Sequence, residues 1–283
     1  MSLLGSDYIT QNSRGLCWQE EGMRNETISL PGVDQERPPG LVRALKSMVR
    51  IEVERWIFWS PESSDPALWL NHWQGPNAGS VQGDPDAGAI PPMQRRRMSR
   101  LSKMALATAL EAMADNPADY SIFCSRHGEI IRTREILSSI SAGTEISPTA
   151  FAQSVHNTGS GLFTILACSN APSMSMASGA NTFAYGWLEA QAYLGSNPDH
   201  RVLLVDFDEV IPAEYQRYSE HQDCDHAMAL VLRRVERGGI SMASSASAND
   251  GNLPQGPQFL AWLETGEQAL SLAADGQGWR WER

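Results

Sequence analysis

The run Val202-Leu203-Leu204-Val205 restricts what this chain can fold into more than any other stretch. Successive side chains of a strand point to opposite faces, so four apolar residues in a row need apolar cover on both sides. A sheet held between two layers of helices meets that demand. Around this run, strand-like and helix-like segments alternate, which is the pattern of an α/β sheet with right-handed crossovers.

The segments are read as follows. Val49, Ile51 and Val53 alternate with Arg50, Glu52 and Glu54, as on a strand with one wetter face. Residues from Ser60 to Pro92 are rich in Pro, Gly and Asp and are expected to form a loop. Gln94–Asp115 is expected to be a helix, with Met98, Leu101, Met104, Thr108 and Ala112 at helical spacing, stopped by Asn116-Pro117. A strand over Tyr120–Cys124 precedes an amphipathic helix over Glu129–Ile140 that Gly143 closes. Then come a helix over Gly161–Cys168, a strand near Ser173–Met176, a helix over Ala180–Leu194 and a strand over Arg201–Phe207. Strands over His226–Leu232 and Ile240–Ser247, a helix over Phe259–Ala273 and a strand over Trp279–Trp281 complete the pass.

Residues 1–47 lack a sustained period of 2 or 3.6 and carry Pro38-Pro39-Gly40. They are expected to be a disordered extension, or sequence upstream of a true start at Met48; a regulatory arm is the alternative. The domain expectation is thus an extension over 1–47, a first half over 48–235, and a shortened β-α-β piece over 236–283.

Several functions are excluded early. The net charge of −11 argues against nucleic acid as the main partner, since phosphate binding needs a basic surface. No apolar run is long enough for a transmembrane span, and the N-terminus has no signal-peptide pattern. Cys17, Cys124, Cys168 and Cys224 are scattered, without CxxC spacing, and read as reduced thiols of a cytoplasmic protein. The six histidines do not fall at metal-ligand spacings, and no cofactor motif is present. His221, Asp223, Asp225 and His226 invite a metal reading, but a solvated loop ahead of a strand is the expectation. Arg95-Arg96-Arg97 with Arg100 and Lys103 is the one basic cluster: either a solvated helix face or a docking point for an acidic partner.

The stretch Ser147–Glu189 carries the most information. It contains SPxxxxxxxxN ending at Asn157, Ala171-Pro172 before a short strand, and Ser178-Gly179 ahead of a long helix. Its order of segments resembles the ketosynthase family, in which a short strand leads to a nucleophilic cysteine at the start of a helix. Arg95–Ala109, Phe123–Gly128, Val202–Glu209 and Ala227–Leu232 resemble further parts of that family, so the likeness spans about Val49 to Val235. Ser125–Glu129 (SRHGE) and Ser154–Asn157 (SVHN) are similar to the short chain-length factors of aryl polyene-type clusters. The resemblance implies a thiolase-like N-terminal half, a mixed sheet with helices on both faces, followed by a shortened second half.

Two departures bear on function. Aligning Ser178-Gly179 with the end of the family motif places Met176 at the nucleophile position. A thioether forms neither a thiolate nor an acyl thioester. In addition, the histidines that a ketosynthase second half supplies have no counterpart, since no histidine follows His226. The expectation is a non-catalytic chain-length-factor-like partner of an active ketosynthase in a type II fatty acid or polyketide system. His156, Asn157, Ser173, Ser175, Met176, Ser178 and Gly179 would then line an acyl tunnel or the partner interface. Arg95, Arg96, Arg97 and Arg100 would receive a transient acyl carrier protein, and no metal or cofactor is implied. Two alternatives stay open: an acyltransferase or hydrolase using Ser175 or Ser178 with His156, and a carrier-protein-binding module without a ketosynthase partner.

Overall fold

The computed structural model describes residues 49–283 except Asn77, Ser80, Asp115, Asn116, Glu220 and residues 246–250. The expectations for residues 1–47, for Met48 as a start, and for a helix stop at Asn116 fall outside the described residues.

In chain order the elements are β1 (Arg50–Trp59), α1 (Pro66–Gln74), α2 (Pro92–Arg95), α3 (Arg100–Ala112), β2 (Tyr120–Cys124), α4 (Ile130–Ala142), α5 (Pro148–Ala152), α6 (Thr158–Leu166), β3 (Ser173–Met176), α7 (Thr182–Ser196), β4 (Arg201–Asp208), α8 (Ala213–Gln216), β5 (His226–Val235), β6 (Ser241–Ser245), α9 (Gln255–Leu263), β7 (Ala269–Ala274) and β8 (Gln277–Glu282). Five strands form one mixed sheet in the order β1-β5-β4-β2-β3. β1, β5 and β4 pair antiparallel, whereas β4, β2 and β3 pair parallel. A second, antiparallel sheet has the order β6-β8-β7, and Ile240, beside it, pairs with Ile51 of β1.

The apolar run of β4 does what its pattern demands. Val202 and Leu204 enter a core rich in tryptophan, with Trp69, Trp73, Trp187, Trp262, Trp279 and Trp281. Leu203 and Val205 enter a separate core beneath α3 and α6, with Leu101, Met104, Phe123 and Phe163. The strand is therefore covered on both faces, by α7, α9 and the small sheet on one side and by α3 and α6 on the other.

Three local expectations are corrected. The segment read as loop from Ser60 to Pro92 holds α1, which Asp65 caps by accepting from the amides of Ala67 and Leu68 (2.8 and 3.2 Å), with Pro66 in its first turn. Trp69 and Trp73, one turn apart, bury one face of that helix. The helix expected from Gln94 starts instead at Arg100, because the Ser99 hydroxyl accepts from the Ser102 amide (2.9 Å) and sets a new N-terminus. The helix expected over Phe259–Ala273 ends at Leu263, and Ala269–Ala274 is a strand, so the C-terminal piece is β-α-β-β. Asp275 and Gly276 both have positive φ, 49° and 73°, and turn β7 tightly into β8.

Candidate functional site

The site forms where the C-terminal ends of β2, β3 and β4 meet the start of α7. Past β2, the segment Ser125–Gly128 wraps around the carboxylate of Asp208. Asp208 accepts from the Ser125 hydroxyl (2.8 Å) and from the amides of Arg126 and His127. The Ser125 hydroxyl in turn accepts from the Gly128 amide (2.8 Å). Gly128 has φ 55°, and a Cβ there would stand 2.9 Å from the His156 ring. The ring lies so close because His156 Nε2 contacts the Ser125 carbonyl at 2.8 Å. A carbonyl only accepts, so Nε2 carries the proton. The two short motifs SRHGE and SVHN are thus parts of one packed unit.

β3 is the edge strand beside β2. Its ladder uses the carbonyls of Pro172 and Met176, which accept from the amides of Ser121 and Ser125. Strand backbone groups alternate sides, so the N–H and C=O of Ser173 and Ser175 point away from β2 along the free edge. Ser175 Oγ shares a hydrogen bond with Ser160 Oγ of α6 (2.9 Å). Met176 is half-buried and packs against the tryptophan-rich core.

After β3 the chain turns through Ser178 and Gly179 (φ 57°) into α7. The Ser178 amide donates to Thr182 Oγ1 (2.9 Å), and that hydroxyl donates to the Gly179 carbonyl (2.7 Å). Asn181 ties the turn to the C-terminal piece. Its Nδ2 donates to the Ala274 carbonyl (2.9 Å), and its Oδ1 accepts from Trp279 Nε1 (2.9 Å) and Gln255 Nε2 (3.1 Å).

A cleft of about 40 Å³ beside this turn is lined by Arg126, Gly179, Asp208, His221, Asp223 and Cys224 among others. It holds a few waters at most, far less than the ~300 Å³ at which ligand pockets begin. Its wall includes the buried pair Asp206–His226. His226 Nδ1 faces the Cys224 carbonyl (3.0 Å) and Nε2 faces Asp206 Oδ2 (3.3 Å). Nδ1 meets a carbonyl and so carries a proton, while Nε2 and the Asp206 carboxyl, which burial pushes up, share a second one. Burial works to lower His226, but the hydrogen bond and charge of Asp206 outweigh it and raise its pKa. The segment 221–226 is a loop that is solvated only at its start: Gln222 is exposed, whereas Asp225 and His226 are buried and hydrogen-bonded. Among the described residues no group of histidine, cysteine, aspartate or glutamate side chains is disposed to hold a metal.

None of the described cysteines lies in the 177–181 turn. Cys124 is buried in β2 with its Sγ against Gly186 of α7, and burial raises its thiol pKa. Burial likewise pushes the Cys224 thiol up. Cys168 is exposed just past the end of α6.

The basic cluster divides. Arg100 turns inward: it donates to the Gly83 carbonyl, pairs with Asp225 (2.9 Å) and lies 5.5 Å over the Trp59 ring. Arg95 donates to the Ala87 carbonyl (3.0 Å). Only Arg96 and Arg97 of the four are exposed. Arg100 therefore leaves the expected docking surface, because its charge is needed beside Asp225 and Glu209.

Sequence reasoning missed Asp208 and the Asp275–His221 contact (2.8 Å) at the α7 turn. Asp275-Gly276 flanked by Leu270, Leu272, Trp279 and Trp281 is a hairpin signal that could have revealed the latter. Asp208 carries no such sign, since its role depends on a turn more than 80 residues away.

A mixed sheet with helices on both faces, whose short parallel edge strand turns into a long helix, defines a thiolase-like α/β subunit. The chain belongs to the beta-ketoacyl synthase family: the family model described as beta-ketoacyl synthase, N-terminal domain, matches residues 69–282. Among solved structures it is similar to a chain of "Ketosynthase (ApeO) in Complex with its Chain Length Factor (ApeC)" from Xenorhabdus doucetiae. That likeness has 30% identity and a TM-score of 0.72, over 83% of this chain and 100% of the other. The ishigamide ketosynthase/chain length factor shares the fold, with 13% identity and a TM-score of 0.54 over 71% of this chain and 68% of that one. So does a type II PKS acyl-carrier protein in complex with its ketosynthase (AntDE:AntF), at 14% identity and a TM-score of 0.51, over 71% of each chain. No curated protein matches the sequence.

Proposed function

We propose that this chain is a chain-length-factor-like subunit that pairs with an active ketosynthase of an aryl polyene-type, type II fatty acid or polyketide system, and has no condensing activity of its own. The observation that carries the proposal is β3. Its outer edge presents unpaired backbone groups, and exposed apolar side chains stand on the strand itself (Met174, 37%) and on α6, which packs against it (Ile165, 65%). An open strand edge with apolar side chains around it is a site for another chain. The strand ends on Met176, whose thioether cannot be acylated. In the Xenorhabdus complex a ketosynthase is bound to its chain length factor, which supports the pairing, and the similarity covers the whole of the matched chain there.

In this reading the seven residues expected at an acyl tunnel or partner interface divide between the strand and the segments around it. Ser173, Ser175 and Met176 belong to the partner interface, and Ser178 and Gly179 to the turn behind it. His156 and Asn157 hold the segment that leads into α6. Arg96 and Arg97 would face an acidic acyl carrier protein. A cytoplasmic setting goes with such partners; no helix among the described residues is long and apolar enough to cross a membrane. A hydrolase built on His156 gains no support, since its Nε2 proton goes to the Ser125 carbonyl and the Ser175 hydroxyl pairs with Ser160.

A photo-crosslinking amino acid at position 174 tests the proposal. On co-expression with a ketosynthase encoded beside this chain, illumination should join the two. The same probe at Leu68, exposed on α1, should not. Equal cross-linking from both positions, or none from 174, would sink the reading.

A further inference from the structure

Arg100 uses the two sides of its guanidinium for different ends. Nε and Nη2 donate to the Gly83 carbonyl (2.9 and 2.6 Å) and so hold the loop between α1 and α2. Nη1 turns inward, to Asp225 Oδ2 at 2.9 Å and Glu209 Oε2 at 3.8 Å. Asp225 is fixed, because its Oδ1 accepts from the Val210 amide (2.8 Å), and Glu209 is buried just past β4. The loop is the yielding side: Val81, Gln82, Asp84 and Asp86 are exposed. Its Pro85 and Asp86 form one wall of an open groove that also has Trp56, Trp59 and Thr108 in its lining.

The charge on the inner side is not constant near neutral pH. Burial and then Asp225 push the Glu209 carboxyl up to about 7, against Arg100, and Glu129 at the start of α4 and Asp208 of β4 add to the rise. On the outer side Asp84, 87% exposed, is the charged neighbour of the guanidinium, 3.4 Å from Nε. Once Glu209 ionises, a buried carboxylate stands 3.8 Å from a cation that already serves Asp225. A buried charge is tolerated only when it is hydrogen-bonded, and a charge-assisted bond is about 2.8 Å long. Making that bond draws the guanidinium roughly 1 Å inward and stretches both bonds to Gly83 beyond ordinary hydrogen-bonding distance. We propose that Arg100 is a pH-operated latch, which holds Gly83 and its loop beside the groove while Glu209 is protonated and releases them when Glu209 ionises. The inference stands apart from the pairing with a ketosynthase, since all of its groups lie within this chain.

Gly83 itself reports the latch. In the full chain, labelled with ¹⁵N and ¹³C, the shift of the Gly83 carbonyl carbon is read through the Asp84 amide from about pH 5.5 to about pH 8.5, on either side of the Glu209 midpoint. The parent should show a sigmoidal upfield shift centred at about pH 7, as the carbonyl loses its donors. Glu209→Gln should keep the low-pH position throughout. Asp225→Asn keeps an acceptor for the Val210 amide but removes a charge that raises Glu209, so its midpoint should fall below the parent's. A parent carbon that stays put or moves downfield would overturn the proposal. So would an equal shift in Glu209→Gln, which would trace the movement to His72, whose Nε2 contacts the Gly79 carbonyl of the same loop (2.9 Å). An unmoved midpoint in Asp225→Asn would do the same, because the titrating group would then not be the one beside Asp225.

Discussion

Glu209 shows how a single side chain at this site pays for its position. It is buried, its carboxylate lies 3.8 Å from Arg100, and Asp225 is the nearer partner of that arginine. Burial first, and then the charge of Asp225, push its pKa up to about 7, against the opposing pull of Arg100. The folded state therefore binds a proton more tightly than the unfolded one. Stability falls as pH rises from about 4.5 to about 7, and above that the full penalty applies. Glu209→Gln should raise stability by about 3 kcal/mol at pH 8, with the difference fading near pH 4.5. Urea unfolding at both pH values measures it; a variant less stable than the parent at pH 8 would show that the ion pair with Arg100 outweighs burial. At Met176 the expectation is chemical. After incubation with an acyl carrier protein bearing an acyl thioester, the intact mass of the chain should be unchanged. A stable adduct on any residue would contradict the non-catalytic reading.

At the level of elements, β3 unites the fold and the proposed function. Pro172, Met174 and Met176 face β2, whereas Ser173 faces outward, so the inner ladder does not use the Ser173 amide. Ser173→Pro should leave the melting temperature within a few degrees of the parent while abolishing retention of a co-expressed ketosynthase. Loss of folding together with binding would show instead that this residue supports the sheet from within. The elements themselves are legible in the sequence to different degrees. β3 at Ser173–Met176 follows from its place between Ala171-Pro172 and Ser178-Gly179, and β4 from its apolar run, because burial on both faces leaves a continuous signature. α1 is hidden by the Pro, Gly and Asp around it, although Asp65-Pro66 and the Trp69–Trp73 spacing record its start and its buried face. The break between Arg95 and Arg100 is hard to see because apolar periodicity continues across it; only the Ser99 cap interrupts the backbone. A helix over Phe259–Ala273 overruns because Leu270 and Ala273 suit either period, and the Asp275-Gly276 turn decides in favour of a strand.

At the scale of the described residues, two cores on either side of one sheet hold the elements together, and the C-terminal piece is integral to that arrangement. Trp279 and Trp281 of β8 belong to the core that also holds Phe183, Trp187 and Val202. Through Asn181 the same piece fixes the α7 turn. What the sequence could not convey is how these distant segments share hydrogen bonds and ion pairs: Asp208 with the 125–128 turn, Asn181 with Trp279, Arg100 with Asp225. Each joins residues whose separation in sequence leaves no local pattern. The free edge of β3 is an open surface of this arrangement, and a permanent subunit interface typically buries more than ~2,000 Å². The central claim is that another subunit covers it. Size-exclusion chromatography with light scattering, on this chain co-expressed with the neighbouring ketosynthase, tests that claim most directly. The account gives a stable 1:1 complex that survives dilution. A well-behaved monomer that elutes apart from every ketosynthase offered to it would contradict the account.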